Sequence, residues 1–298
     1  MLLSHRTVEL PDSETQLATH AVVHSGYRMH AVFRRNVVSE DALLVRGFDR
    51  RGAVGRPAVT VLLEGKAKVR VPEGVEDLIP GDLCLIARKG AVLMRQEGPR
   101  YRAVMCEWEP GKLGGELPTP LSKQRASAAT LRELETVASA LSKAGDDATK
   151  VTAPVTRAWA ALRDAGVPLA PSSEADLCEP VSDAIAKLGR ALDTLQSNLH
   201  GAPMMIDLEK HLGLSARQLN RLVSEFNERY GFNASGWRDT RNRWRLLMGA
   251  TLMTAPDATA ATVANAVGFA STSTFCRALA NVGLPAPGEI EAVVRSLA

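Results

Sequence analysis

The sequence predicts an α+β protein of two domains, with an N-terminal antiparallel β-sandwich or barrel, a helical middle segment and an all-α C-terminal domain. Short apolar segments between Gly and Pro turns fill residues 1–115, whereas helical periodicity dominates residues 116–200. Residues 201–298 are predicted as helices broken by Gly and Pro. The chain has 298 residues, of which 45% are hydrophobic, so it can bury a sizeable core without disulfides.

Two hydrophobic patterns predict the strands of the first domain. Residues 66–71 alternate between charged and apolar side chains, and the apolar run 58–65 ends in Glu64-Gly65, which predicts a hairpin turn between them. Pro80-Gly81-Asp82 predicts a second turn. Further strands are expected at residues 19–24, 29–35, 42–48, 83–87, 91–96 and 101–108. Short strands at this spacing are typical of an antiparallel sandwich or small barrel.

The most regular helix of the middle segment carries apolar residues in steps of four and three. These residues are Val181, Ile185, Leu188, Leu192, Leu195 and Leu199. The stripe fits two interpretations. The helix lies on the core of the β-domain, or it forms a dimer seam, because a strict 3.5-residue period is narrower than most core-facing stripes. As a seam, it would place dimerisation contacts at Ile185, Leu188, Leu192, Leu195 and Leu199.

The last third contains an internal near-repeat of a short apolar helix, a Gly, a Ser cap and a second helix. The two copies pass through Gly213, Ser215, Leu219 and Arg221, and through Gly268, Ser271, Phe275 and Arg277. The Gly lets two helices cross steeply, as in a helix-turn-helix. Ser215 and Gln218 predict a capping box that fixes where the second helix of the first copy begins.

The exposed side of that second helix has the side chains that suit base edges in a DNA major groove. A buried stripe of apolar residues leaves Arg217, Asn220 and Arg221 on the opposite side. Arg can form two hydrogen bonds with guanine and Asn with adenine, and each good pair contributes about 1–3 kcal/mol of discrimination. The net charge of +3 conceals a basic segment from Lys210 to Arg245, where eight basic and three acidic residues give a net charge of +5.

On these residues the C-terminal third resembles the double helix-turn-helix domain of the AraC/XylS family of bacterial transcription regulators. The matching segments are Gly213 to Arg221 and Val267 to Leu279, within residues 203–290. The first domain is similar to the cupin-like sensor domain that often precedes it. The resemblance implies a sequence-specific transcription regulator that binds double-stranded DNA as a homodimer and responds to a small-molecule effector. We expect a cytoplasmic protein, because four widely separated Cys fit a reducing compartment. An activator of this kind would also contact RNA polymerase.

The resemblance also implies which residues contact DNA. By motif position, bases would be contacted by Ala216, Arg217, Asn220 and Arg221 of the first unit and by Thr272, Ser273, Cys276 and Arg277 of the second. A connecting helix from Trp237 to Met253 would hold the units apart, and its Arg238, Arg241 and Arg245 share a face that would meet phosphates.

The second unit departs from the family pattern. From Ala278 to Gly283, where the family usually has basic residues, this chain has no positive charge. Phosphate contacts dominate affinity for DNA, so we expect the second unit to hold the backbone weakly.

Other function classes lack their sequence signals. The six His form no pair one residue apart of the kind that metal-binding cupin enzymes use, and we expect no enzyme activity, metal or cofactor. No apolar run is long enough to span a membrane, so we expect no membrane partner. The alternative function is an interaction or scaffold protein whose degenerate helix-turn-helix does not read DNA.

Overall fold

An antiparallel sheet of eight strands followed by ten helices makes up the chain, in a computed structural model that describes residues 1–37, 56–71, 74–87, 93–117, 121–230 and 234–296. This arrangement confirms the expected α+β class with a β-rich N-terminal part and a helical C-terminal part. In the described parts of the chain, no helix is long and apolar enough to cross a membrane.

The eight strands pair in an order that places the first strand at one end of the sheet. They are β1 (Leu2–Glu9), β2 (Gln16–Val23), β3 (Tyr27–Arg35), β4 (Ala58–Val71), β5 (Gly74–Leu78), β6 (Asp82–Ile86), β7 (Leu93–Trp108) and β8 (Leu121–Arg125). The order is β1-β2-β3-β7-β4-β6-β8, with β5 paired to β4. Strand β8 lies beyond the expected domain boundary at residue 115, and β1 was not expected from the sequence. The strand expected at residues 42–48 lies outside the described residues.

Residues 58–71 form one continuous strand, so the hairpin expected at Glu64-Gly65 is wrong. The register between β4 and β7 shifts on both sides of Glu64, which is the signature of a β-bulge. Gly65 has φ +91°, and a Cβ there would overlap the carbonyl oxygen of Arg100 on β7. The glycine therefore bends a long strand where its partner approaches closely, and it does not reverse the chain. The expected turn at Gly81, with φ +90°, is present directly before β6.

One face of the sheet is covered by two helices, α1 (Ala128–Lys143) and α2 (Thr149–Asp164). Tyr27, Trp108 and Trp159 are almost completely buried in this core. The Tyr27 hydroxyl donates to the Leu177 carbonyl at 2.7 Å, and Trp159 Nε1 donates to the Ala170 carbonyl at 3.0 Å. The first bond ties the segment that follows α2 to β3, and the second ties it back to α2.

The remaining helices complete the chain. They are α3 (Glu174–Leu177), α4 (Asp183–Gln196), α5 (Met205–Leu212), α6 (Ala216–Arg229), α7 (Trp237–Leu252), α8 (Ala260–Ala266), α9 (Thr272–Asn281) and α10 (Pro287–Ser296). A single turn of 3-10 helix, Leu199–Gly201, connects α4 to α5.

The apolar stripe of α4 is buried inside the chain, which corrects its expected role as a dimer seam. The five residues Ile185, Leu188, Leu192, Leu195 and Leu199 are each at most 7% exposed. The part of the stripe within α4 packs on β1 and β2 on one side and on α5 and α6 on the other, in one hydrophobic cluster. Of the two interpretations left open by the period, the structure supports the helix that lies on the sheet. Dimerisation itself stays a prediction, but the α4 stripe is no longer its expected interface.

A partly buried carboxylate joins the same helix to the first strand. Asp193 accepts from Ser4 Oγ at 2.8 Å and from the backbone N of His5 at 3.0 Å, and Arg6 lies 3.6 Å away. Burial raises the pKa of Asp193 despite the nearby arginine. The Arg6 guanidinium also lies over the Trp244 ring of α7, 5.9 Å from its centroid. The sheet, α4 and the C-terminal helices are therefore linked by polar contacts as well as by apolar packing.

We expect Leu188→Ala to destabilise the chain without changing its oligomeric state. Leu188 is 0% exposed, so truncation leaves a cavity in a core that cannot fully collapse, at a cost of about 2–5 kcal/mol. Urea unfolding and light scattering check this, with Lys187→Ala on the exposed side of the same helix as the control. A lower molecular mass with an unchanged free energy of unfolding would place Leu188 at a subunit interface instead.

Candidate nucleic-acid interface

Two helix-turn-helix units are present where the near-repeat was found, one formed by α5 and α6 and the other by α8 and α9. Gly213 and Gly268 occupy the turns with φ of +65° and +76°, the left-handed region that favours glycine. The helices of each unit contact each other across this turn. The glycine and the Ser cap of each copy thus produce the same local structure twice.

Side-chain caps fix the start of each second helix. Gln218 Oε1 accepts from the Ser215 backbone N at 3.0 Å, as the expected capping box requires. Ser271 Oγ accepts from the Thr274 backbone N at 3.2 Å. Because these caps set the first helical residue, they also set which side chains face away from each unit's core.

The buried side of each second helix is apolar. Leu219 and Val223 of α6 and Phe275 and Leu279 of α9 are 0% exposed. Since the period is 3.6 residues, residues halfway around each helix from these positions must face away from the core.

Most of the expected base-contacting residues are accessible. In α6, Ala216, Arg217, Asn220 and Arg221 are all exposed. In α9, Ser273 and Arg277 are exposed, whereas Thr272 and Cys276 are partly buried. The first helix therefore presents two arginines and an amide on one surface, and the second presents a single arginine.

The three arginines expected to meet phosphates do not share one environment. Arg238 is exposed at the start of α7. Arg241 is partly buried, and its Nη1 donates to the Pro203 carbonyl at 3.0 Å. Burial lowers the pKa of Arg241, and the charge of Arg238 lowers it further.

Arg245 is a structural residue, so its expected phosphate contact is wrong. The side chain is only 7% exposed, and Nε donates to the Val267 carbonyl at 2.7 Å. A second nitrogen, Nη2, donates to the Gly268 carbonyl, and the guanidinium lies 3.9 Å from the centroid of the Phe269 ring. Burial lowers the pKa of Arg245 to about 10. The helical period placed Arg245 with Arg238 and Arg241, but it could not show that this part of the face meets α8.

The turn of the second unit is also held by the segment that precedes the first unit. A Cβ at Gly268 would overlap the Leu199 carbonyl oxygen and would lie 3.1 Å from Ala202 N. The Leu199–Gly201 turn thus packs directly on the second unit's own turn. At Gly249 on α7, a Cβ would lie 2.7 Å from the Phe275 ring, so the connecting helix also approaches α9 closely. These contacts fix the spacing between the two units.

Both units are joined to the sheet. Arg28 of β3 donates to the Tyr230 carbonyl at the end of α6. Val8, Leu10 and Leu17 of the β1–β2 region share a hydrophobic cluster with Ile290 of α10 and the rest of the second unit's core. The helical C-terminal part therefore packs on the sheet at two places.

Two grooves flank the first turns of α7. One has a volume of about 550 Å³ and lies between α7 and α9, and the other, of about 580 Å³, lies between α7 and the first unit. Arg241 lines both grooves. Arg243, which sequence analysis did not single out, lines the groove beside α9. Its i, i+4 spacing from Asp239 was the signal that could have placed it, since Arg243 Nε donates to Asp239 Oδ1 at 3.0 Å.

Titratable groups outside this region form no metal site among the described residues, where no three His, Cys, Asp or Glu side chains are grouped to hold an ion. His5 and His20 lie side by side on β1 and β2, with their Nδ1 atoms 3.0 Å apart. His5 Nε2 also contacts the Gly145 carbonyl at 2.7 Å, so this pair joins the sheet to the α1–α2 connection.

Comparisons with known proteins yield low similarity only. No protein-family model and no curated protein match the sequence. Among solved structures, the chain is similar to ToxT from Vibrio cholerae, at 11% identity over 91% of this chain and 98% of that one, with a TM-score of 0.37. The AraC-like transcriptional activator CuxR is similar at 15% identity over 80% and 84% of the two chains, with a TM-score of 0.35. Both TM-scores are below 0.5, so these similarities assign no function to this chain.

We expect Gly268→Ala to be more destabilising than Gly213→Ala. Both residues have left-handed backbone, which costs an L-residue about 1–2 kcal/mol, but only at Gly268 would the new methyl group overlap a backbone oxygen. Thermal unfolding of the two variants isolates the overlap, since nothing lies within 4 Å of a Cβ at Gly213. Equal melting temperatures for the two variants would show that the Leu199–Gly201 turn does not press on the second unit.

Proposed function

We propose that the chain is a sequence-specific DNA-binding transcription regulator. The observation that carries the proposal is the surface of α6, where a capped helix exposes Arg217, Asn220 and Arg221 opposite a fully buried apolar stripe. A helix of this kind fits the major groove and carries side chains that can pair with guanine and adenine. The position of a second unit at a fixed spacing supports binding to two successive groove segments.

The rigid spacing of the units favours DNA over a general anionic partner. Reading two major-groove segments requires two helices separated by about one turn of DNA, or about 34 Å, and held there. Arg245, Gly249 and the Leu199–Gly201 turn provide contacts that hold α9 relative to α7 and to the first unit. A flexible pair of basic helices would gain nonspecific affinity but no register.

The sheet supports a regulatory role for the first domain. Its contacts with both units, at Tyr230 and in the cluster around Val8 and Leu17, would transmit a change of sheet shape to the DNA-contacting helices. We therefore propose that residues 1–115, together with β8, form a sensor domain. Its effector would be a small molecule. Homodimerisation, and contact with RNA polymerase in the case of an activator, remain predictions.

Selection from a random double-stranded DNA pool tests the proposal with the full chain. We expect enrichment of one motif with two recognition segments, bound at least 10³-fold more tightly than unrelated DNA. The interaction or scaffold alternative, suggested by the single exposed arginine of α9, predicts no enriched motif and no salt-dependent binding.

We expect Arg221→Ala to weaken binding of the selected DNA far more than Arg277→Ala. Arg221 acts with Arg217 and Asn220 on one exposed surface, whereas Arg277 is the one exposed basic residue of α9. Loss of a base contact costs about 1–3 kcal/mol, which corresponds to roughly 5- to 150-fold in affinity. Gel-shift titration of both variants measures the difference. Equal losses would contradict the dominance of the first unit.

A further inference from the structure

One wall of the groove between α7 and α9 is a face of the second reading helix. Thr274, Ala278 and Asn281 line the groove and follow each other in steps of four and three residues, so they share one side of α9. This side adjoins Ser273 and Arg277, which are exposed. Anything bound in the groove would therefore lie beside the surface that we propose to read bases.

The opposite wall is basic. Arg243 is 34% exposed, and its Nε is held by Asp239, which also accepts from the Ser235 backbone N at 3.0 Å. Asp239 is thereby tied to the start of α7 and orients the Arg243 side chain. Among the described residues that line this groove, one carboxylate, that of Asp239, lies with Arg241, Arg243 and Arg245, so this wall has an excess of positive charge.

Arg241 connects this groove to the first unit. Its Nη1 contacts Pro203 and Met204, while its buried Nε has no acceptor among the described residues. The second groove, which Arg241 also lines, contains Asn220 of the first reading helix.

We propose that the groove between α7 and α9 binds a backbone phosphate of DNA through Arg243 and Arg241. This inference rests on the proposed function and deepens it. The bound phosphate would flank the segment read by α9, and Thr274 and Asn281 would face it from the other wall. The connecting helix thus supplies the second unit with the positive charge that Ala278 to Gly283 lacks.

The arrangement favours DNA over an acidic protein segment. An acidic protein segment would need only one of the two grooves to bind. A DNA backbone, in contrast, must run past both α6 and α9. The basic side chains lie between those helices, and Arg241 borders the groove of each unit. Phosphate contacts from side chains that flank a reading helix fix the register of that helix on the duplex.

The variant Arg243→Gln, made in the full chain, removes the positive charge of Arg243 and tests its contact with phosphate. On B-DNA, each phosphate that a protein no longer neutralises reduces the slope of log affinity against log salt concentration by about 0.9. We expect that reduction, together with a similar fold-loss on selected and on unrelated DNA and no change in the preferred sequence. Arg132→Gln on the exposed side of α1 is the control of equal charge change, with an expected slope equal to that of the wild type.

Addition of charge at the other wall provides a second, independent variant. Asn281 is exposed at the last residue of α9, so Asn281→Lys should leave the fold unchanged. We expect tighter binding and a slope increased by at most about 0.9, because the new ammonium group would add a cation beside the stretch of DNA backbone that Arg243 contacts. Ala129→Lys, exposed on α1, controls for the added net charge.

The outcomes separate this inference from the proposed function. Motif-specific binding by the wild type, with slopes unchanged in both Arg243→Gln and Asn281→Lys, would overturn the phosphate site and leave the regulator intact. Absence of any salt-dependent binding by the wild type would overturn both. Thermal unfolding checks that each variant is folded. If Arg243→Gln does not fold, the salt slope of Asn281→Lys decides whether the groove binds a phosphate. Capture of an acidic peptide with no effect on DNA binding would favour a protein partner instead.

Discussion

Burial of the α4 stripe is the constraint on which the rest of the structure depends. The helix offers one apolar face, and that face is covered by the first two strands on one side and by the first helix-turn-helix unit on the other. Neither neighbour could be removed without exposing leucines that are at most 7% accessible. A stripe of Ile185, Leu188 and Leu192 contributes roughly 1.5–3 kcal/mol per fully buried side chain, so this junction is energetically comparable to a small core. It joins the sheet and the first helix-turn-helix unit into one packed body.

The second unit combines an apolar core with close backbone contacts at its turn. Its turn at Gly268 has room only for hydrogen, and its two carbonyls beside that turn are taken by the Arg245 side chain. The cost of burying a guanidinium is offset by these hydrogen bonds and by the stacked Phe269 ring. A charge that could have served DNA affinity instead fixes the geometry of the unit. Arg243, two residues earlier on the same helix, is left accessible at the groove.

The different environments of Arg243 and Arg245 on α7 bear on the low positive charge of the second unit. The last turn of α9 carries no basic residue, yet α9 has a capped start and exposes Ser273 and Arg277. A helix does not need its own phosphate contacts if a neighbouring helix places charge beside it. The unit's weak charge is therefore compatible with DNA binding when α7 is considered together with α9.

Local features were determined by the sequence. Gly213 and Gly268 permit the left-handed backbone of the two turns, and Ser215 and Ser271 cap helices. The apolar spacing of α6 and α9 fixes which side chains are buried. All of these features act over a few residues. Distant contacts were decided by the tertiary structure. The same period that aligned Arg238, Arg241 and Arg245 gave no sign that Arg245 would meet the carbonyls of Val267 and Gly268, 22 and 23 residues away. The stripe of α4 likewise fitted a partner chain and this chain's own sheet equally well, since periodicity shows that a face is buried but not what buries it.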